Sequence, residues 1–212
     1  MGRPETGASS VRGRPARVAG APPGPRRQDL RKGALLDAAA SLFVEQGMVA
    51  TSIDHIVDRA GVAKGTFYHY FQDRAAMLEA LRCRYSQHFA EVALAAIEAN
   101  AGQGHKARLE AWIDAVVRVY LGTYALHDAI FHDPAICHRW VMGEEPVVKL
   151  LAALLEEGVA AGEWDVDDPV GSAVCMFYGL HGLVDETIAA GADADAIVPC
   201  LTRLYGNMVR RA

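Results

Sequence analysis

The sequence predicts an all-α protein in two parts, a small three-helix end followed by a larger helical body. Three observations carry that prediction. Apolar residues recur at three- and four-residue spacing in segment after segment, the period of a helix with one buried face. Residues suited to starting and stopping helices stand at the segment ends, among them Gly61, Asp73 and the pair Asp168-Pro169. The chain has 212 residues, 51% of them hydrophobic, which is enough to close a core.

Residues 1–27 come first, with five Pro, five Gly, no aromatic residue and no periodicity. Such a segment cannot bury enough apolar surface to order itself, so it is predicted to be a disordered basic arm. Asp29 to Gln46 reads as the first helix, with Leu35, Leu36, Ala39, Leu42 and Phe43 on one face and Gly47 as its stop. Thr51–Ala60 and Lys64–Phe71 follow as two short helical patterns separated only by Gly61-Val62-Ala63. Ile53, Ile56, Val57 and Ala60 line one side of the first, Thr51 and Ser52 supply hydroxyl caps, and Thr51-x-x-Asp54 has the form of a capping box. Gly61 can adopt the left-handed conformation that ends a helix without steric cost. In the second pattern Phe67 and Phe71 turn inward, leaving Lys64, Thr66, Tyr68 and His69 outward. A tight turn between two such segments is a helix-turn-helix with a polar, aromatic outer face.

The residues Gly61-Val62-Ala63-Lys64-Gly65-Thr66-Phe67-Tyr68-His69-Tyr70-Phe71 closely resemble the signature of the TetR/AcrR family of transcriptional regulators. The resemblance runs upstream through Leu35–Gly47 and downstream through Arg74 and Leu78, so it covers about residues 30–82. It implies a DNA-binding domain over 28–73 and a ligand-sensing, dimerising body over 74–212. On that reading Lys64, Thr66, Tyr68 and His69 reach bases or nearby phosphates, Gly65 permits close approach, and Thr51, Ser52 and Arg74 grip the backbone. Two positions depart from the family pattern. Arg74 stands where a phosphate-binding Lys is usual, and Ala63 where a capping Ser is common, a loss of ~1 kcal/mol in helix stability.

Charge agrees with a DNA-binding front end. The formal net charge is −5, yet residues 1–84 hold 13 Lys/Arg against 8 Asp/Glu, and residues 85–212 hold 8 against 18. Eight of the basic residues precede Gly33. Within the arm, Arg12-Gly13-Arg14-Pro15 resembles the core of an AT-hook, and a Gly-flanked extended Arg pair is thin enough for a narrow A·T minor groove. The alternative is a basic tail that attracts phosphate without regard to sequence.

In the body, Asp73 caps a long helix predicted over Met77–Asn100, and a second helix runs from Lys106 to Gly122 or beyond, burying Leu109, Trp112, Ile113, Val116, Val119 and Tyr120. Tyr124 to Gly143 is predicted to be a short helix broken by turns around Pro134. Pro146 opens a helix ending near Gly162, and Asp168-Pro169 opens another that is nearly uncharged from Val170 to Val184. The last helix spans Ala196–Arg210, with Ile197, Leu201, Leu204, Tyr205 and Met208 as its apolar face. Family resemblance implies that the last two helices of two subunits form a four-helix dimer bundle.

Trp112, Tyr120, Tyr124, Phe131, Trp140, Phe177, Tyr178 and His181 are the candidate lining of a pocket for a small apolar or aromatic effector, and equally describe an ordinary core. Residues 127–138 gather His127, His132, Cys137 and His138 with Asp128 and Asp133, a metal- or redox-responsive alternative, although the spacing matches no familiar site and no metal is assigned. Cys83, Cys137, Cys175 and Cys200 are scattered, predicting reduced and mostly buried thiols. No run of eighteen apolar residues and no secretory h-region appears, so a cytoplasmic location is expected. G-x-S-x-G and H-E-x-x-H are absent and no cofactor motif is found, so an enzyme, or a helical small-molecule-binding protein without a DNA site, is the distant alternative.

Overall fold

The computed structural model describes residues 27–131 and 145–210. Over these residues the chain forms eight α-helices: α1 (Arg27–Gln46), α2 (Ile53–Ala60), α3 (Lys64–Tyr70), α4 (Arg74–Ala99), α5 (Gly104–Phe131), α6 (Pro146–Ala160), α7 (Pro169–Ala189) and α8 (Ile197–Val209). Single 3-10 turns at Ala101–Gln103 and Ala194–Ala196 lead into α5 and α8. Residues 1–26 of the predicted arm lie outside the described residues, as do His132, Cys137, His138 and Trp140, and its last residue, Arg27, opens α1.

Helices α1 to α3 close around Leu35, Ala39, Phe43, Ile56 and Phe67, all essentially inaccessible to solvent. Their ends are set by local chemistry. Gly47 and Gly61 hold φ of 82° and 65°, stopping α1 and α2 in the left-handed region. The Gly61 N–H donates to the Asp58 carbonyl and the Val62 N–H to the Val57 carbonyl, satisfying the last turn of α2.

The start of α2 differs from the predicted one. Of the two predicted capping hydroxyls only Ser52 caps the helix, and the box runs from Ser52 to His55 rather than from Thr51 to Asp54: Ser52 Oγ accepts from the His55 N–H at 3.1 Å, and the Ser52 N–H donates to His55 Nδ1 at 3.4 Å. Thr51 is buried, its hydroxyl donating to the Gly47 carbonyl at 2.8 Å. Moving the cap by one residue sends one hydroxyl inward and leaves the next on the surface.

In the body, α4 packs most extensively against α5, and α6 to α8 complete the bundle. Asp73 caps α4 through the Ala76 N–H at 2.8 Å, and Asp168 caps α7 through the Gly171 N–H at 2.9 Å, with Pro169 in the first turn. Helix α5 continues beyond Gly122 without a break through Tyr124 to Phe131, because no breaker intervenes before Pro134; the rest of the predicted broken segment lies outside the described residues. Leu204 and Met208 of α8 are about half exposed, whereas Ile197, Leu201 and Tyr205 are buried. Cys83 and Cys175 are exposed, against the expectation of buried thiols. Among the described residues no helix is long and apolar enough to cross a membrane.

Candidate nucleic-acid interface and effector site

Helix α3 is only seven residues long, and its inner side is fixed by Phe67 and Phe71, whose ring centroids lie 5.5 Å apart. With those two rings buried, helical geometry leaves Lys64, Gly65, Tyr68 and His69 exposed and Thr66 half-buried, with Tyr68 53% accessible. The phenyl of Phe67 meets the Tyr68 ring edge-on at 5.4 Å, and His69 meets Tyr70 at 4.9 Å, so the outer face is stiffened from beneath. No Cβ at Gly65 would meet another atom, leaving that side of the helix open to close approach. Ala63 precedes the helix without any side-chain cap.

Most cations of this end already have partners. Arg59 makes two 2.8 Å hydrogen bonds to Glu45 across α1 and α2; these bonds raise the Arg59 pKa and hold Glu45 below its usual value of 4.5. Lys64 Nζ lies 2.7 Å from Asp54 Oδ1, a contact that raises the lysine pKa. Arg84 pairs with Asp37 of α1 at 2.8 Å. Arg74, predicted to grip the DNA backbone, turns inward instead: its guanidinium donates to the Met48 carbonyl and lies 5.6 Å from the Phe43 ring centroid. Half-buried between those groups, it ties the start of α4 to the end of α1. Arg82 is 3% exposed and donates to the Ile130 carbonyl at 2.6 Å. Exposed Arg31 and Lys32 remain at the start of α1, Lys32 Nζ standing 6.0 Å from the Phe71 ring. Residues 28–84 contain seven Lys/Arg and seven Asp/Glu, so the whole positive excess of the front end resides in the six Arg and single Glu of residues 1–27.

In the body the predicted lining residues separate into two groups. Tyr120, Tyr124, Phe131, Phe177 and His181 converge, joined by Tyr85, Phe89 and His127. His181 lies 4.3 Å from Tyr120 and 4.2 Å from Phe177 between ring centroids, and His127 lies 4.7 Å from Tyr120 and 4.9 Å from Phe131. The Tyr120 hydroxyl donates to Asp185 Oδ1 at 2.7 Å, so at its 3.3 Å contact the His127 Nδ1 must be the donor. His181 Nδ1 in turn donates to the Phe177 carbonyl at 2.9 Å. Burial raises the phenol pKa of both Tyr120 and Tyr85, and Tyr85 hydrogen-bonds Thr123 at 2.9 Å. This is an apolar cluster with a few oriented polar tips.

Tyr178 does not join it; at 55% exposure it faces outward from α7. Trp112 is fully buried two turns before Tyr120, and its indole N–H has no acceptor among the described residues. An open groove of about 370 Å³ also runs between α4 and α5, lined by Arg84, Tyr85, His88 and Thr123 among others. Sequence reasoning missed Asp185, Tyr85 and Phe89 at the cluster. Their helical register, with Tyr85 and Phe89 four apart and Asp185 four beyond His181, was the available signal.

Residues 35–81 match the family model of bacterial regulatory proteins of the tetR family. This stretch is thus a TetR-family DNA-binding domain. It is similar to the transcriptional repressor KstR2 of Mycobacterium tuberculosis, 41% identical over 51 residues that cover 24% of this chain and 26% of that protein. The match thus spans about a quarter of that curated relative. A tetR-family protein of Shewanella sp. PV-4 superposes with a TM-score of 0.68 at 22% identity, over 86% of this chain and 99% of that one. The FadR regulator of Bacillus subtilis, solved with stearoyl-CoA, gives 0.64 at 19% identity, over 81% and 96%. At these identities the likeness is one of fold, and it runs through the helical body as well.

Proposed function

We propose that this TetR-family chain is a ligand-responsive transcriptional regulator that binds duplex DNA as a two-fold dimer and is released by a small apolar or aromatic effector. The observation that carries the reading is α3: a short helix anchored by Phe67 and Phe71 that presents Lys64, Tyr68 and His69 to solvent beside Thr66 and Gly65. Side chains of that kind on a short helix suit the major groove, where base edges differ in donor and acceptor pattern. Ser52, exposed at the head of α2, is the backbone contact, while Thr51 and Arg74 act by holding the domain together. Arg12 and Arg14 of the arm supply positive charge that the neutral folded end lacks.

The effector site we assign is the cluster around Tyr120, Tyr124, Phe131, Phe177 and His181. A ligand that prefers a body conformation with mis-spaced reading helices weakens DNA binding by that preference alone. Repression is the mode suggested by the likeness to KstR2. Dimerisation is assigned to α7 and α8, which leave Tyr178, Leu204 and Met208 about half exposed on otherwise apolar helices. Subunits so paired place their α3 helices roughly 34–36 Å apart, one turn of DNA. A cytoplasmic regulator without enzymatic activity fits this reading. Of the metal-responsive alternative, His132, Cys137 and His138 lie outside the described residues, and His127 is engaged by Tyr120 and Phe131.

The test is to recover and sequence genomic DNA bound by the protein. Enrichment of a near-palindromic duplex, lost for Tyr68→Ala while the dimer persists in sedimentation, is the expected result. Equal retention of all duplexes, or a Tyr68→Ala protein that binds as the original does, refutes it.

A further inference from the structure

The acidic side chain on the reading surface calls for a reason. Asp54, in the first turn of α2, is 63% exposed and lies 2.7 Å from Lys64 at the start of α3. A carboxylate there repels phosphate and cancels the nearest cation of the reading helix, which is costly for a surface that only has to attract DNA. A first-turn acid does favour the helix dipole, but that needs no partner on the neighbouring helix. The pairing brings a hydrogen-bond donor and an acceptor side by side, 2.7 Å apart, next to the exposed face of α3.

We infer that Asp54 and Lys64 act together as a reader of one G·C base pair in each half-site, an inference that rests on the DNA-binding reading above. In the major groove guanine presents two adjacent acceptors, N7 and O6, and its cytosine presents the N4 amino donor next to them. The O6 and N4 atoms are themselves hydrogen-bonded, about 2.9 Å apart, close to the separation of Lys64 Nζ from Asp54 Oδ1. Lys64 donates to the guanine acceptors while Asp54 accepts from cytosine. An A·T pair interrupts the two acceptors with the adenine amino group and adds the thymine methyl, so the same pair of side chains meets it out of order. On random DNA the carboxylate keeps Lys64 from phosphate and lowers indiscriminate affinity. Asp54 is thus a specificity-determining residue that weakens non-specific binding and strengthens binding to the right site.

The test uses the full-length protein, Asp54→Asn and Lys64→Met. Duplexes are selected from a random pool, then binding is titrated by fluorescence anisotropy against the selected duplex, its single base-pair variants and a random-sequence duplex at several salt concentrations. The original protein is expected to fix one G·C pair per half-site and to lose about tenfold when it becomes A·T, within the range of a direct base contact. For Asp54→Asn the preference at that position falls to about twofold or less. Its salt slope on random DNA steepens by about 0.9 for each engaged subunit, which tightens binding about eightfold at about 0.1 M salt. Lys64→Met loses the same preference without the gain on random DNA. Asp54→Asn with an unchanged G·C preference and an unchanged slope overturns the inference and leaves the DNA-binding reading standing. Failure of the original protein to select any duplex overturns both.

Discussion

Deleting residues 1–25 removes Arg3, Arg12, Arg14 and Arg17 together with Glu5. Of the arm's cations only Arg26 and Arg27 remain; residues 28–84 are electrically balanced, and most of their cations are held by Glu45, Asp54, Asp37 or backbone carbonyls. Only Arg31 and Lys32 stand exposed at the start of α1 without an acid partner among the described contacts. The arm therefore supplies the larger part of the non-specific attraction. With Arg12 and Arg14 of both subunits against DNA, four counterions are released, and deletion lowers the log–log salt slope by about 3.6 at about 0.9 per contact. Between about 50 and about 200 mM salt, the full-length protein then loses about 150-fold more affinity than the truncated one. The assay is anisotropy titration of one labelled duplex at four or more salt concentrations with both proteins. Slopes that agree within about one unit refute the reasoning and return the electrostatic role to the folded head.

Three further outcomes are expected. Tyr120→Phe removes the hydroxyl that donates to Asp185 at 2.7 Å and leaves a half-buried carboxylate short of a donor. The loss is about 1.5–3 kcal/mol, or about 3–12 °C in melting temperature, read by calorimetry; a change below about 1 °C contradicts it. Gly158→Ala gains about 1 kcal/mol of helix propensity, but its Cβ would lie 2.2 Å from one Trp164 ring carbon and within 2.8 Å of two others. The Trp164 N–H is held by the Gly158 carbonyl at 3.2 Å, which keeps the ring from retreating. Overpacking wins, and thermal unfolding should fall by roughly 2–8 °C; a rise would show that the ring moves freely. Glu45 is held below 4.5 by Arg59, so the pair stabilises the fold above that pH and ceases to do so as the pH drops through the depressed value. Melting curves of the original and Glu45→Gln proteins should differ near neutrality and converge under acid; parallel curves would exclude the linkage.

Much of the fold was legible because its punctuation is chemical. Gly61, Asp73 and Asp168-Pro169 each perform the local task their side chains suit, and Phe67 with Phe71 fixes the facing of α3 by spacing alone. What was illegible depended on a neighbour distant in sequence. Thr51 and Ser52 are interchangeable as letters, and only the Gly47 carbonyl decides which hydroxyl turns in. Arg74 matches a phosphate-binding position, yet the Phe43 ring and the Met48 carbonyl draw it inward. Helix α7 is apolar on nearly every side, so periodicity could not say that Tyr178 faces out while Phe177 packs on His181 and His181 on Tyr120. Leu204 and Met208 share the helical stripe of Leu201 and Tyr205 but sit on its outer margin. The Asp54–Lys64 pair joins two helices across the turn, a relation that hydrophobic patterning does not encode.

Helix α4 begins at Arg74, against the front domain, and carries Tyr85 and Phe89 into the aromatic cluster before ending at Ala99. Its 26 residues make one unbroken rod of about 39 Å. Tilting a rod of that length by about 5° about one end swings the other by about 3 Å, the length of a hydrogen bond. A ring nudged aside near the middle of this lever thus needs no relay of side chains to disengage the far end from a groove. The mechanical gain is built into the stiffness of a single helix.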